Sequence, residues 1–397
     1  MLERSGWQYK TMKDICYVNQ GFQINIEKRD KHKRKNNKIY ITIQHLNSVG
    51  DDEYINDKDH NDSVVCNPND VLMTRTGNTG RVVTGVSGVF HNNFFRINFD
   101  RSKIDKDYLV YYLKLKSIQN LILEKAGAST IPDLNHGDFY SIPFNYPENL
   151  NEQRAIAKTF INIDNLINSL QLLILKKEKI KKQTMNILFD KNNFKSELKT
   201  ICLNKIGYAY NGLSGMKSEN FKDGNKKYIT FLNVLGNPIV KEQQFEKFNC
   251  NNAQKKVKKG DLFFNTSSET PEEVALCSTI NFDIDELYLN SFCFGFRITD
   301  HSINNLYLSY FYRSKYGRNI IKNLAQGSTR YNLPKKKFME YLICVPSDTN
   351  EQIEYANILM NMDNEIELLN EKLSKYKKIK DGMMEDLLTG KVRLSYE

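Results

Sequence analysis

The sequence predicts an α+β protein built as two mixed α/β globules in tandem, each followed by a long helix. The two helices are expected to pack as an antiparallel coiled coil with pseudo-two-fold symmetry. Three observations predict this: the chain repeats itself, each repeat ends in a long stretch of helical periodicity, and each begins with short strand-like runs broken by turns.

The repeat comes first because it fixes the domain count. Two segments align without a gap at a constant offset of 199 residues, as from Asn151 to Asn350. The run Ala126, Ser129, Thr130, Leu134, Phe139, Pro147, Asn151-Glu152-Gln153, Ala157 and Asp164-Asn165 recurs as Ala325, Ser328, Thr329, Leu333, Phe338, Pro346, Asn350-Glu351-Gln352, Ala356 and Asp363-Asn364. The match continues through Lys179-Ile180-Lys181 and Lys378-Ile379-Lys380. Upstream the likeness weakens and the offset drifts, to 191 for Asp70/Asp261 and Gly21/Gly212 and to 188 for Tyr40-Ile41-Thr42 against Tyr228-Ile229-Thr230. The variable part of each half therefore lies N-terminal. The expected divisions are residues 1–150, a helix over 151–189, residues 190–348, and a helix with tail over 349–397.

The helices follow from apolar spacing. Ile156, Phe160, Ile163, Ile167, Leu170 and Ile174 fall at alternating steps of four and three, as do Tyr355, Leu359, Met362, Ile366, Leu369 and Leu373, which is the seam of a coiled coil. The predicted helix–helix seam is Phe160, Ile163, Ile167, Leu170 and Ile174 with Leu359, Met362, Ile366, Leu369 and Leu373. Some 35 residues make a rod of roughly 50 Å. Such a helix cannot bury its seam alone, and two matched seams in one chain most simply cover each other. Before them, β-branched and aromatic runs at 39–43, 64–66 and 94–99, and again at 227–234, 261–265 and 292–298, are broken by Asn, Asp and Gly and read as strands. A helical part is expected near 108–125 and 306–324.

Charge narrows the partners. Lys and Arg number 57 against 47 Asp and Glu, a net charge of +10, which favours a polyanion such as nucleic acid or an anionic membrane. No run of about 18 apolar residues could span a bilayer, and the first residues lack a signal-peptide core, so a cytoplasmic location with no membrane partner is expected. The seven cysteines are scattered and never spaced as CxxC, and the six histidines form no HxxxH pattern; they read as reduced, mostly buried thiols without a metal site. No metal and no cofactor is predicted.

The doubled pattern of globule, Ala/Gly-Ser-Thr turn, Pro-ended strand, Asn-Glu-Gln and long helix resembles the specificity subunits of type I restriction-modification systems. Here it reads AGASTIPDLNHGDFYSIPFNYPENLNEQRAIA and AQGSTRYNLPKKKFMEYLICVPSDTNEQIEYA, with LLTGKVRL near the C-terminus. Departures are AGAST where the second half has QGST, and Ile353 where the first has Arg154. The resemblance implies two target-recognition domains that each read half of a bipartite site in double-stranded DNA, with the helices as ruler and docking surface. It also implies two methylation subunits, which carry S-adenosylmethionine, and ATP-driven restriction subunits as partners, the chain itself being non-catalytic.

Sequence-specific binding needs positive charge on phosphates and side chains at base edges. Candidate phosphate contacts are the basic turns Lys31, Lys33, Arg34 and Lys35; Lys226 and Lys227; and Lys255, Lys256, Lys258 and Lys259, each of which also suits an ordinary solvated loop. Candidate base readers are Arg75, Asn78 and Arg81 in MTRTGNTGR, and Asn265 with Thr266 in FFNTSS, because Arg pairs with guanine and Asn with adenine. A plain polar hairpin would have the same composition. Ser129 and Thr130, and Ser328, Thr329 and Arg330, could donate to phosphates or simply form turns.

Catalytic motifs are missing. No Pro-Pro pair exists for an amino-methyltransferase motif, no G-x-G-x-x-G follows a strand, and there is no phosphate-binding G-x-x-x-x-G-K-[ST] loop. Pro132-Asp133 with Glu197-Leu198-Lys199 has nuclease-like residue types, but at more than 60 residues apart it lacks the structural context of a nuclease core. The competing readings are an enzyme acting alone, which would turn over substrate or bind cofactor, and a coiled-coil scaffold whose DNA binding is lost in modest salt without discriminating sites.

Overall fold

A computed structural model of the chain describes residues 6–48, 52–127, 130–221, 224–250 and 253–394. It forms two compact units, one of residues 1–171 with 372–397 and one of residues 172–371. Each unit therefore takes part of each long helix.

The first unit opens on a two-stranded ribbon. Trp7–Thr11 pairs antiparallel with Pro143–Pro147, so the start and end of the globule are stitched together. Between them lie two four-stranded sheets. One runs in the order Cys16–Gln20, Phe94–Phe99, Val71–Thr74, Val82–Val83; the other runs Tyr54–Asn56, Asn37–Ile41, Gly88–Phe90, Val65–Cys66. Helices Lys106–Leu113 and Lys116–Ala126 cover the first sheet's core. That core joins Met73, Phe95, Tyr108 and Phe144 to Phe160 of the first long helix, Leu150–Leu188, and to Met384, Leu387 and Leu388 of the second, Thr349–Leu388. Burying a side chain of this size stabilises by about 1.5–3 kcal/mol, so both helices help hold the globule.

The second unit repeats this plan. Leu198–Cys202 pairs with Leu342–Pro346, and the sheet Gly207–Asn211, Cys293–Ile298, Leu262–Asn265, Cys277–Thr279 keeps the first unit's strand order. Its register is also kept: Cys16 faces Phe99 in one unit and Gly207 faces Ile298 in the other. Here Tyr355 and Leu359 come from the second long helix and Phe189 from the end of the first. The expected strand over 227–234 stops at Ile229, because the Thr230 hydroxyl accepts from Asn233 N at 3.1 Å and starts the helix Phe231–Gly236. Thr42 does the same through His45 N, also at 3.1 Å, which ends the expected 39–43 strand at Ile41. A local cap wins over continued strand pairing in both places.

The long helices run antiparallel. In the first unit the start of the first helix lies against the end of the second, where Lys380 Nζ bonds Asp164 at 2.6 Å. In the second unit the roles are exchanged and Lys181 of the first helix bonds Asp363 of the second. Of the expected seam, Phe160, Ile167, Leu170, Ile174 and Leu359 are buried; Ile163, Met362, Ile366, Leu369 and Leu373 are half-buried.

The repeated Asn-Glu-Gln explains how each helix begins. Gln153 is fully buried; its amide donates to Lys103 O and Pro147 O, both at 2.9 Å, and accepts from Asp105 N at 2.8 Å. Gln352 repeats the clamp on Ser302 O, Pro346 O and Asn304 N. The adjoining carboxylates bind whatever follows the other helix: Glu152 takes Arg393 at 2.5 Å, and Glu351 accepts from Lys195 N at 2.7 Å, Ser196 N at 2.8 Å and the Tyr355 hydroxyl at 2.6 Å.

Burial raises the Glu351 carboxyl, but bonds from Ser196, Tyr355 and Lys195 outweigh it and hold the group below its ordinary value. A carboxyl depressed on folding favours the folded state above its unfolded value and loses that contribution as pH falls through the folded one. Glu351→Gln should therefore cost about 1–3 kcal/mol at pH 7 and show a flatter stability loss below pH about 4.3. Denaturant melts at pH 7 and pH 3.5 measure both, and an unchanged midpoint at pH 7 would show that the clamp holds nothing.

Candidate nucleic-acid interface

Four segments that are distant in sequence converge in each unit. In the first, the loop 75–81 leaves the strand Val71–Thr74 and is tied on three sides. Arg75 N donates to Asn93 O at 2.7 Å and Leu134 N to Arg75 O at 2.9 Å, while Arg81 reaches Asn47 Oδ1 at 2.7 Å beside the capped helix Ile43–Asn47. Asp133 receives both the Arg75 guanidinium, at 2.7 Å, and the Thr76 hydroxyl. The Thr79 hydroxyl donates to Pro132 O at 2.7 Å.

The second unit uses equivalent bonds. Thr266 N donates to Phe292 O and Leu333 N to Thr266 O, each at 3.0 Å, and Ser267 pairs with Asn332 where Thr76 bridges Asp133. Arg330 approaches Ser267 Oγ at 3.0 Å. Phe231, Ser267, Ser268, Thr329 and Arg330, with Glu269 and Glu273, line an open cleft of about 770 Å³. Its cations, hydroxyls and carboxylates supply both phosphate donors and acceptors for a base amino group.

Some expected readers face inward. Asn265 is fully buried; its amide donates to Glu273 O at 2.8 Å and Ser267 O at 3.2 Å and accepts from Leu276 N at 2.7 Å. It holds the loop's shape and has no hydrogen-bonding group left for a base. Its counterpart is buried Thr74, whose hydroxyl donates to Asn78 O at 2.6 Å and accepts from Arg81 N at 2.9 Å. Thr266 spends its hydroxyl on Phe292 O at 2.9 Å, and Arg75 is committed to Asp133 and to the Phe95 ring. Asn78 is exposed at the loop tip with φ 57°, a left-handed conformation that Asn tolerates.

Thr130, Ser328, Thr329 and Arg330 are exposed around the same cluster, whereas Ser129 lies outside the described residues. The basic turns bond elsewhere. Lys31, Lys33, Arg34 and Lys35 lie on an exposed loop where Arg34 meets Asp30 at 3.3 Å. Lys226 bonds Cys250 O, Lys227 meets Glu242, Lys256 meets Glu286 and Lys259 meets Asp283. Lys255 lies over the Tyr208 ring and Lys258 is exposed. Exposed ion pairs of this kind are worth little and yield readily to phosphates. Sequence reasoning missed Asp133 and Ser267, although Asp133 and Asn332 stand at the 199-residue offset that marks the repeat.

Residues 4–177 and 195–378 each match the profile of the type I restriction modification DNA specificity domain. The chain belongs to this family. A specificity subunit from Methanocaldococcus jannaschii, that of type I restriction enzyme MjaVIII, is 25% identical over 389 residues, covering 89% of this chain and 86% of its own. The putative MjaX specificity subunit of the same organism is 26% identical over 319 residues, covering 76% and 72%. In structure, the type I system S subunit from M. genitalium superposes with a TM-score of 0.60 at 17% identity over 100% and 99% of the two chains. The HsdS subunit of Thermoanaerobacter tengcongensis gives 0.51 at 14% over 98% of each. These two likenesses establish the fold of the paired specificity domains. Among the described residues no helix is long and apolar enough to cross a membrane.

The first specificity domain carries a titratable turn. His91 Nδ1 accepts from Asn93 N at 3.1 Å, which requires the neutral ring. Burial, then nearby Arg29, hold the imidazole below its ordinary value; the Tyr40 ring packs at 5.6 Å. A base depressed on folding contributes stability above its unfolded value near 6.5 and loses it as pH falls toward the folded value. Wild-type protein should therefore lose about 1 kcal/mol, one hydrogen bond, on going from pH 7 to pH 5 relative to His91→Asn. Parallel melts at the two pH values check this, and identical pH slopes would refute it.

Proposed function

We propose that this chain is the DNA-specificity subunit of a type I restriction-modification complex, non-catalytic itself, in which each unit reads one half of a bipartite site in double-stranded DNA. The observation that carries this reading is the duplicated loop cluster. The same backbone bonds recur in both units, while the exposed side chains on them differ, as expected of one scaffold adapted to two sequences. Positive charge would place the protein on phosphates and the loops would discriminate bases.

The helices suit the second half of the task. The first long helix exposes Leu172 (69%) and Leu175 (61%), and the second exposes Leu368 (64%), all within the second unit. Apolar side chains left out of the seam fit docking of methylation subunits, two of them by the pseudo-symmetry, with restriction subunits joining the full complex. A cytoplasmic location, where the DNA is, accompanies this role.

Co-expression with the methylation subunit encoded beside it, in a methylation-free host, followed by genome-wide mapping of N6-methyladenine, tests the reading. A split motif is expected, one half changing when residues 1–150 are exchanged and the other when 190–348 are exchanged; a stable complex that yields no motif would refute it. Leu172→Glu with Leu175→Glu should leave the melting temperature within a few degrees and reduce capture of the methylation subunit at least tenfold in pull-down titrations, since interface cores exclude charge. Undiminished capture would move the docking surface elsewhere.

A further inference from the structure

One position in the loop cluster is set by the backbone with unusual care and carries different side chains in the two units. In the second unit the turn Asn290–Cys293 is closed by Cys293 N on Asn290 O at 3.1 Å and by Phe292 N on Asn290 Oδ1 at 2.8 Å. The Phe292 carbonyl then receives Thr266 N at 3.0 Å and the Thr266 hydroxyl at 2.9 Å. The backbone of Phe292 is thus fixed from both sides. Its ring is 57% exposed, which for a large apolar side chain on a rigid turn is costly unless something covers it.

The first unit builds the same turn from other residues. Phe94 N bonds His91 O at 3.0 Å, Asn93 N bonds His91 Nδ1 at 3.1 Å, and Arg75 N bonds Asn93 O at 2.7 Å. His91 replaces Asn290 as the side-chain acceptor, and Asn93 occupies the place of Phe292. Both turns are seated on a glycine: a Cβ on Gly21 would lie 2.2 Å from His91 O, and one on Gly212 2.0 Å from Asn290 O. This accounts for the repeated Gly21/Gly212 pair. The backbone here is held constant while one outward side chain is free to vary.

Resting on the reading of the two units as DNA readers, we propose that positions 93 and 292 are specificity-determining residues, one for each half-site. Phe292 offers an apolar face, matched to the methyl group of thymine in the major groove. Asn93 offers an amide, matched to an adenine edge. Each side chain stands beside a loop whose other polar groups, Thr266 and Asn265 in the second unit and Arg75 in the first, are already satisfied within the protein. The outward position is therefore where discrimination remains available.

The test maps N6-methyladenine in cells carrying the methylation subunit with wild-type chain, Phe292→Ala, Phe292→Leu or Asn93→Ala, with melts of each purified complex to verify folding. Phe292→Ala is expected to relax one base pair of the half assigned to residues 190–348, with a loss of discrimination of roughly 5- to 100-fold, and to leave the other half intact. Phe292→Leu, still apolar, should retain the motif. Asn93→Ala should relax one base pair of the half assigned to residues 1–150. An unaltered motif in Phe292→Ala and Asn93→Ala, or both halves degrading together in either, would overturn the proposal. A wild-type chain giving no split motif would instead refute the underlying functional reading.

Discussion

The structure depends on two aspartates that each tie three elements together. In the first unit Asp164 receives the Tyr111 hydroxyl at 2.8 Å from the globule and Lys380 Nζ at 2.6 Å from the far end of the other long helix. In the second, Asp363 receives Tyr310 at 2.7 Å and Lys181. Burial, the aspartate bond and its charge all push both tyrosines' ionisation upward, so each hydroxyl stays a donor at any physiological pH. A seam of apolar side chains alone tolerates sliding by a heptad; a lysine that must meet one aspartate does not. The pair fixes which residues of the two helices face each other and, through tyrosine, where each globule stands on them.

Polar groups elsewhere divide into constant and variable sets. Gln153 and Gln352 close the strand end onto the helix start, and Thr74 and Asn265 hold the loop beneath the surface; all four are fully buried. A buried amide left without partners costs about 1–3 kcal/mol, so such residues resist change once their partners are backbone atoms. Exposed positions carry no such cost. Arg154 contacts Asp105 at 3.9 Å in the first unit, while its counterpart Ile353 is 38% exposed and the matching residue is the neutral Asn304. Charge was exchanged for apolar surface there without disturbing the clamp made by the neighbouring glutamine.

The large features were legible in the sequence because each rests on a period or a repeat. Steps of four and three placed the helices within a residue of Leu150–Leu188 and Thr349–Leu388, and the 199-residue offset marked the two matching halves. Shorter-range competition was not legible. Thr42 and Thr230 sit in β-branched runs that read as strand, yet each caps a short helix. Asn265 has the residue type of an adenine reader, and only three-dimensional closure with Glu273 and Leu276 reveals that its amide is used internally. Lys380 and Asp164 lie 216 residues apart; no local pattern pairs them, although the reciprocal Lys181 and Asp363 repeat at the same offset and could have been matched to them.

That reciprocity also says why the chain must contain both halves of its pattern. The first globule's core uses Met384, Leu387 and Leu388 from the end of the second helix, and the second globule's core uses Phe189 from the end of the first. A globule with only its own helix would expose that core face and leave Glu152 without Arg393, or Glu351 without the backbone of Lys195 and Ser196. Each half is therefore completed by a segment from the other half of the sequence. Change in an outward loop of one unit leaves these shared contacts untouched, because the loops and the helix ends lie on different elements. A fold whose stability is shared and whose exposed loops are separate can alter one reading surface without rebuilding the other.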